Sequence, residues 1–368
     1  MSTPSSIPDT PSPACLPGSL SWSSPERAAA FALWLDSVAN RHQLVPSSAR
    51  FAAADADFRR YLRVDTVDGG SRIIMDAAPE KMRCDAYVRC AELVTQAGLK
   101  GPQVLQWSPE VGFMLLTDLG EHTLMTALDP EAAAPPLDHY LQAVDVLVQW
   151  QLASTPDVLP AYDEALLRRE LNLFPEWYVQ AHKGITLNDA QNKILHSAFD
   201  AIIANNLASP SVYVHRDFMP RNLMLARAND PDQRLGVLDF QDAVYGPITY
   251  DIASLMRDAF ISWDEAFCLD VTIRYWEKAR RAGLPVPEDF GDFYRSVEWM
   301  GVQRHLKVAG IFARLTLRDG KPKYLADTPR FIQYLHSACS RYRELRPLAR
   351  LIEQIEGVQQ QDVFVMGR

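Results

Sequence analysis

Residues 211–246 read SVYVHRDFMPRNLMLARANDPDQRLGVLDFQDAVYG. His215, Arg216 and Asp217 are consecutive, Asn222 lies five residues beyond Asp217, and Asp239 and Phe240 stand on the far side of a turn-rich segment. Two carboxylates and an amide in this order suit one kind of chemistry. Hard oxygen ligands hold a divalent cation against phosphates, and a further carboxylate orients an acceptor hydroxyl and takes its proton. Asp217 is the candidate base, and Asn222 with Asp239 the candidate Mg²⁺ pair.

A hairpin brings that pair together. Asn222–Arg227 and Arg234–Phe240 read as short apolar strands, and ANDPDQ between them is dense in turn formers. With Arg227 facing Arg234, the constant index sum of an antiparallel pair sets Asn222 opposite Asp239. Their Cβ atoms would then lie roughly 4.5–5.5 Å apart. Asp217 falls on the loop just before them. His215 reads as a buried organiser of that loop rather than a proton carrier.

The elements around this stretch divide the chain. SSPERAAAFALWLDSVANRH opens a helix, with Ser24 as N-cap, Pro25 at the first position and Phe31, Trp34, Leu35 and Val38 on one stripe. Strands are expected at 48–53, 59–66 and 71–77, with VDGG turning the second into the third. A helix over CDAYVRCAELVTQAG, with Gly98 as C-cap, and strands at PQVLQW and VGFMLLTDLG complete a small antiparallel sheet with one helix. Residues 129–136 connect to a mostly helical remainder, with helices at 137–153, 162–182 and 188–206 and several beyond Tyr250. The division is a Ser- and Pro-rich tail over 1–23, read as disordered, a β-rich N-terminal lobe over 24–119 and a helical C-terminal lobe over 120–368. The fold class is α+β.

The whole composition narrows the partners. The 368 residues carry a net charge of −9, which argues against nucleic acid or an anionic membrane. No apolar run is long enough to span a bilayer, and the N-terminus lacks the pattern of a secretory signal. Five scattered cysteines without a CxxC read as free thiols in a reducing cytoplasm. GxxxxGK[ST], a Rossmann fingerprint and HExxH are absent. The oligomeric state is left open.

HRDFMPRN, LDFQDAVYG and the later YGPITYDIASLMRD together resemble the aminoglycoside phosphotransferase-like branch of the kinase superfamily, over roughly residues 52–334. The resemblance implies a two-lobed protein-kinase-like fold with ATP in the cleft between lobes, and LLTDLG as the hinge whose backbone at Thr117 and Leu119 meets adenine. It implies that Asp251 supports the catalytic loop, although its position at a helix start also suits an N-cap. Asp118 fits a capping or turn role. Two features depart from the wider kinase pattern. The third strand, RIIMDAA, has Met75 or Asp76 where a lysine would stand, and no G-x-G-x-x-G occurs. Arg59 or Arg60 would then bring positive charge to the phosphates. Arg60 shares a strand face with Leu62 and Val64, Arg59 with Tyr61 and Arg63, and the alternation leaves open which face meets the nucleotide.

Further blocks, RRELNLFPEWYV, QRHLKVAGIFARL and RDGKPKYLADTPRFIQYL, resemble the bacterial amino-sugar kinases of cell-wall recycling. Those enzymes phosphorylate the anomeric C1 hydroxyl of N-acetylmuramate or N-acetylglucosamine. This resemblance implies a small-molecule amino-sugar substrate, with Glu170, Asp242, Arg304, His305 and Lys307 as substrate-side candidates. Arg304 and Lys307 share a helix face. They would suit a lactyl carboxylate, or that face is merely solvated. Phe174 and Trp177 read as core. A kinase of the same fold acting on an aminoglycoside, choline or an amino acid is one alternative, and a weakly active nucleotide-binding pseudokinase another.

Overall fold

The computed structural model describes residues 20–54, 59–82, 84–132 and 135–357. They fall into two compact units, one running through Thr95 and taking in Gly101–Gly120, the other comprising Gln96–Lys100 and the chain from Glu121 onward.

The first unit is a five-stranded sheet with helices. Helix α1 (Pro25–Ala39) starts at Ser24, whose hydroxyl accepts from the Arg27 N–H, and buries Phe31, Trp34, Leu35 and Val38. The strands are β1 (Arg50–Ala54), β2 (Arg60–Asp65) and β3 (Ser71–Asp76), then, after α2 (Asp85–Gln96), β4 (Val104–Ser108) and β5 (Phe113–Thr117). Their order is β1-β2-β3-β5-β4, with each neighbouring pair antiparallel. The first strand starts later than expected because Pro46–Ser48 forms a 3-10 turn. Leu62, Val64, Ile74, Phe113 and Leu115 form one core with the α1 stripe. Strand alternation therefore puts Arg60 on the α1 side of the sheet.

The expected tail boundary at Ser23 moves. The Trp22 ring lies 4.7 Å from Phe31 and 3.9 Å from the Arg60 guanidinium, and Ser21 O accepts from Arg60. Leu20 packs on the same core. An indole followed by a capped helix buries enough surface to hold a segment that composition alone marks as loose. The disorder expected for residues 1–19 lies outside the described residues.

The second unit is mostly helical. It contains α3 (Leu137–Leu152), α4 (Glu164–Leu171), a π-helical segment (Phe174–His182) and α5 (Asp189–Leu207). Four short strands follow: β6 (Ser211–Val214), β7 (Leu223–Met224), β8 (Gly236–Val237) and β9 (Val244–Pro247). Helices α6 (Tyr250–Met256), α7 (Glu265–Arg281), α8 (Phe290–Leu317), α9 (Thr328–Arg341) and α10 (Arg346–Glu356) complete it. The single helix expected over 162–182 is broken. Pro175 has no N–H to donate, and the chain rewinds as a π-helix beyond it. Helix α8 crosses this break at Gly310, where a Cβ would come within 2.4 Å of the Leu173 backbone. Phe174 is fully buried and Trp177 packs against the core, as expected of both.

Candidate active site

Strand β6 pairs with β9, Val214 opposite Val244, and delivers His215 to a buried position. Gly246 in β9 has no side chain, and a Cβ there would collide with Tyr162, 2.5 Å from its Cβ. Strand β9 is thus held on both edges, by β6 on one side and on the other by Tyr162 N–H donating to Tyr245 O and Tyr245 N–H to Pro160 O, each at 2.8 Å.

The catalytic-type loop hangs from Asp251, which is wholly buried in the first turn of α6. One carboxylate oxygen accepts from the His215 N–H at 2.7 Å and the other from the Arg216 N–H at 3.0 Å. Thr249, not Asp251, occupies the N-cap position, so the capping alternative for Asp251 gives way to loop support. Burial pushes its carboxyl up to about 6, against the pull of the His215 and Arg216 contacts. His215 donates from Nε2 to Leu238 O at 2.9 Å, and its Nδ1 accepts from the Asp217 N–H at 3.3 Å. Burial holds the imidazole below its usual pKa, despite the nearby charges of Asp251 and Asp217. A neutral, doubly engaged ring fits the organising role.

Asp217 is half-buried, and among the described residues no group donates to its carboxylate. Its backbone carbonyl accepts from Asn222 Nδ2 at 2.8 Å. Asn222 Nδ2 also lies 3.3 Å from Asp239 Oδ2, and Asp239 Oδ1 accepts from Gln241 at 2.7 Å. The expected neighbours, Asn222 and Asp239, do meet, but not in the expected register. Leu223 pairs with Val237 and Met224 with Gly236, so the index sum is one less than expected and the ladder is only two residues long. Asn222 O accepts from the Leu238 N–H at 2.9 Å, and Asp239 departs from strand geometry with φ +63°. That left-handed residue swings its carboxylate back to the amide.

Three of the substrate-side candidates, Glu170, Arg304 and Lys307, gather in one buried cluster around Arg216. Glu170 pairs with Arg216 and with Lys307 at 3.1 Å, and accepts from the Tyr162 hydroxyl. Burial pushes its carboxyl up, but Lys307 and Arg216 outweigh that and hold it below the ordinary glutamate value. Lys307 Nζ also donates to the Tyr250 hydroxyl at 3.0 Å, and Arg304 donates to Arg216 O at 2.8 Å. The basic face of α8 is thus buried rather than solvated. Glu170, with both oxygens engaged, braces Arg216 instead of presenting itself to a substrate. Asp242 is exposed, and its carbonyl accepts from Arg216 at 3.3 Å. His305 turns away to Arg257 O and stacks on Tyr334, its ring centroid 4.9 Å away. Tyr162 and Tyr250 escaped the sequence reading because no local pattern marks a hydroxyl's bond to Glu170, 8 positions from Tyr162, or to Lys307, 57 positions from Tyr250. Arg216, already inside the HRD triplet, was the available clue.

The first-unit candidates stand apart from one another. Arg60, expected at phosphates, instead forms an ion pair with Asp76 (2.6 Å), which also pairs with Arg27. The Asp76 carboxylate draws both guanidiniums to the α1 side of the sheet. On the other face, Arg63 pairs with Asp118 at 2.6 Å. Asp118 Oδ1 accepts from the Gly120 N–H at 2.9 Å, the turn role expected of it. Thr117, at the end of β5, exchanges hydrogen bonds with Gln103, and Leu119 is half-buried.

A pinned loop, an unpartnered carboxylate and an amide–carboxylate pair define a phosphotransferase, and residues 48–290 match the phosphotransferase enzyme family model, to which this chain belongs. Within it, the N-acetylmuramate/N-acetylglucosamine kinase of Neisseria meningitidis is 53% identical, the match covering 83% of this chain and 90% of that one. The protein of the same name from Pseudomonas aeruginosa is 45% identical, over 88% and 95% respectively. Among solved structures, Plasmodium vivax ethanolamine kinase shares the fold with a TM-score of 0.56 at 10% identity, over 87% of this chain and 95% of that one. A macrolide 2'-phosphotransferase from Brachybacterium faecium does so at 0.54 and 15%, over 81% and 97%.

Proposed function

We propose that this protein is an ATP-dependent amino-sugar kinase that phosphorylates the anomeric C1 hydroxyl of N-acetylmuramate and N-acetylglucosamine, in the cytoplasm. The unpartnered Asp217 carboxylate, on a loop held by Asp251 and followed by the Asn222–Asp239 pair, carries the reading. The names of the relatives supply the sugar class.

Asp217 accepts the proton of the acceptor hydroxyl as the bond to phosphorus forms. The amide Nδ2 of Asn222 is anchored on Asp217 O, which leaves its Oδ1 for a cation beside the Asp239 carboxylate. A carboxylate and an amide oxygen suit Mg²⁺, which also takes oxygens from phosphates and water. When bound, Mg²⁺ neutralises charge on the transferred phosphoryl group. The backbone around Thr117 and Leu119 is the proposed adenine contact.

The test is ADP release measured against a panel of amino sugars, aminoglycosides and choline. Turnover with N-acetylmuramate and N-acetylglucosamine is expected. Turnover with only a drug or choline would move the chain to another acceptor class, and none with any acceptor would support a pseudokinase.

A further inference from the structure

Arg221 lies between Asp217 and Asn222, on the 3-10 turn Pro220–Asn222. It is exposed, and among the described residues its guanidinium makes no ion pair and no hydrogen bond. It lies over the Phe260 ring, 4.8 Å from the guanidinium carbon to the centroid. Asn222 turns its side chain toward Asp217 O and Asp239, whereas Arg221 leans toward the loop between α6 and α7.

That loop is firmly built. Asp258 is buried, and its Oδ1 accepts from the N–H groups of Phe260 and Ile261. The Phe260 ring packs 5.9 Å from Phe312 on α8 and keeps part of its surface open. The catalytic loop therefore carries an unneutralised cation lying over an apolar platform. The neighbouring cations differ. Arg216 and Lys307 are paired with Glu170, and Arg304 is buried and bonded to Arg216 O.

We propose that Arg221 and Phe260 form a subsite for a carboxylate-bearing substituent on the acceptor sugar. This rests on the amino-sugar reading above and specifies how that site tells its two sugars apart. N-acetylmuramate is N-acetylglucosamine carrying a lactyl ether, whose methyl and carboxylate match an aromatic face and a guanidinium. N-acetylglucosamine offers neither group. The Arg221 charge binds the acid, and Phe260 orients the guanidinium and covers the lactyl methyl.

The experiment compares kcat/KM for the two sugars in wild type, Arg221→Ala, Arg221→Lys and Phe260→Leu, with calorimetric binding of each sugar alongside. A charge-assisted hydrogen bond of ordinary strength predicts that Arg221→Ala lowers the N-acetylmuramate to N-acetylglucosamine ratio about 10- to 100-fold, mainly through KM. Arg221→Lys is expected to retain part of that preference and Phe260→Leu to lose a smaller part. A fall in kcat shared equally by both sugars would assign Arg221 to the transferring phosphoryl group and overturn the subsite. An unchanged ratio would overturn it as well. If wild type phosphorylates neither sugar, the functional reading fails, and calorimetry decides the subsite by whether Arg221→Ala selectively weakens N-acetylmuramate. An absence of that difference in binding overturns it.

Discussion

Arg216 and Asp239 hold left-handed backbones, φ +76° and +63°, without being glycine. Such residues cost about 1–3 kcal/mol each and persist where their surroundings over-determine them. Arg216 is fixed at its N–H by Asp251, at its carbonyl by Arg304 and at its guanidinium by Glu170. This bracing leaves Asp217 with a set direction and a carboxylate no other described group occupies. Asp217→Asn keeps the shape and removes the basicity, so it is expected to lower kcat about 10²–10⁴-fold with little change in KM for ATP. Steady-state kinetics check this, and near-normal kcat would remove Asp217 from its role. A second prediction concerns Asp258, whose buried carboxyl is pushed up to about 6. The folded protein keeps this proton to about pH 6, whereas the unfolded chain releases it near 3.9. Between those values the native state binds more protons, so this group makes stability fall as pH rises from about 4 to 6. Asp258→Asn preserves the acceptor for Phe260 and Ile261 and removes the titration. Urea unfolding across that window is expected to show a less negative slope than wild type, and an identical slope would contradict the shifted carboxyl. The motif made Asp217, Asn222 and Asp239 legible. It did not reveal the shortened ladder, because periodicity cannot register a single left-handed residue that resets a side chain.

At the scale of elements, α8 is the spine behind the site. It carries Arg304 and Lys307 and crosses the α4 break at Gly310, where backbone meets backbone. The Leu173 carbonyl has nowhere to yield, so Gly310→Ala is expected to lower stability by roughly 1–3 kcal/mol and to reduce kcat as the helix shifts. Thermal unfolding and turnover measured together check both halves. The Leu20–Trp22 segment gives a second contrast. Deleting residues through Ser23 is expected to lower Tm by several degrees more than deleting through Ser19, because only the longer cut removes the Trp22–Phe31 contact and the platform under Arg60. Equal Tm values for the two truncations would show that the packing contributes nothing. The antiparallel sheet, α1 and the helical remainder were readable from spacing and caps. The π-helix was not, since 162–182 keeps helical apolar spacing across Pro175. The burial of the α8 basic face was equally hidden, because its partner Glu170 lies 137 positions away from Lys307.

For the molecule as a whole, family membership fixes phosphoryl transfer, and the names of relatives point to the acceptor. The net charge of −9 disfavours polyanionic partners, and no helix among the described residues is long and apolar enough to cross a membrane. The four described cysteines are buried. Cys15 lies outside the described residues. The resemblance to amino-sugar kinases was carried by blocks spread across the chain, including RDGKPKYLADTPRFIQYL, whose sequence alone gives no mechanism. An acceptor hydroxyl at C1 is more acidic than an ordinary alcohol, which suits the base role proposed for Asp217. Phosphorylation there also removes the reducing end, whereas phosphorylation at C3 or C6 leaves it. The most direct measurement is therefore the reducing-end content of the sugar after complete turnover of N-acetylmuramate with ATP. Loss of one reducing end per ADP formed is the predicted result, and a phosphorylated product that still reduces would contradict it.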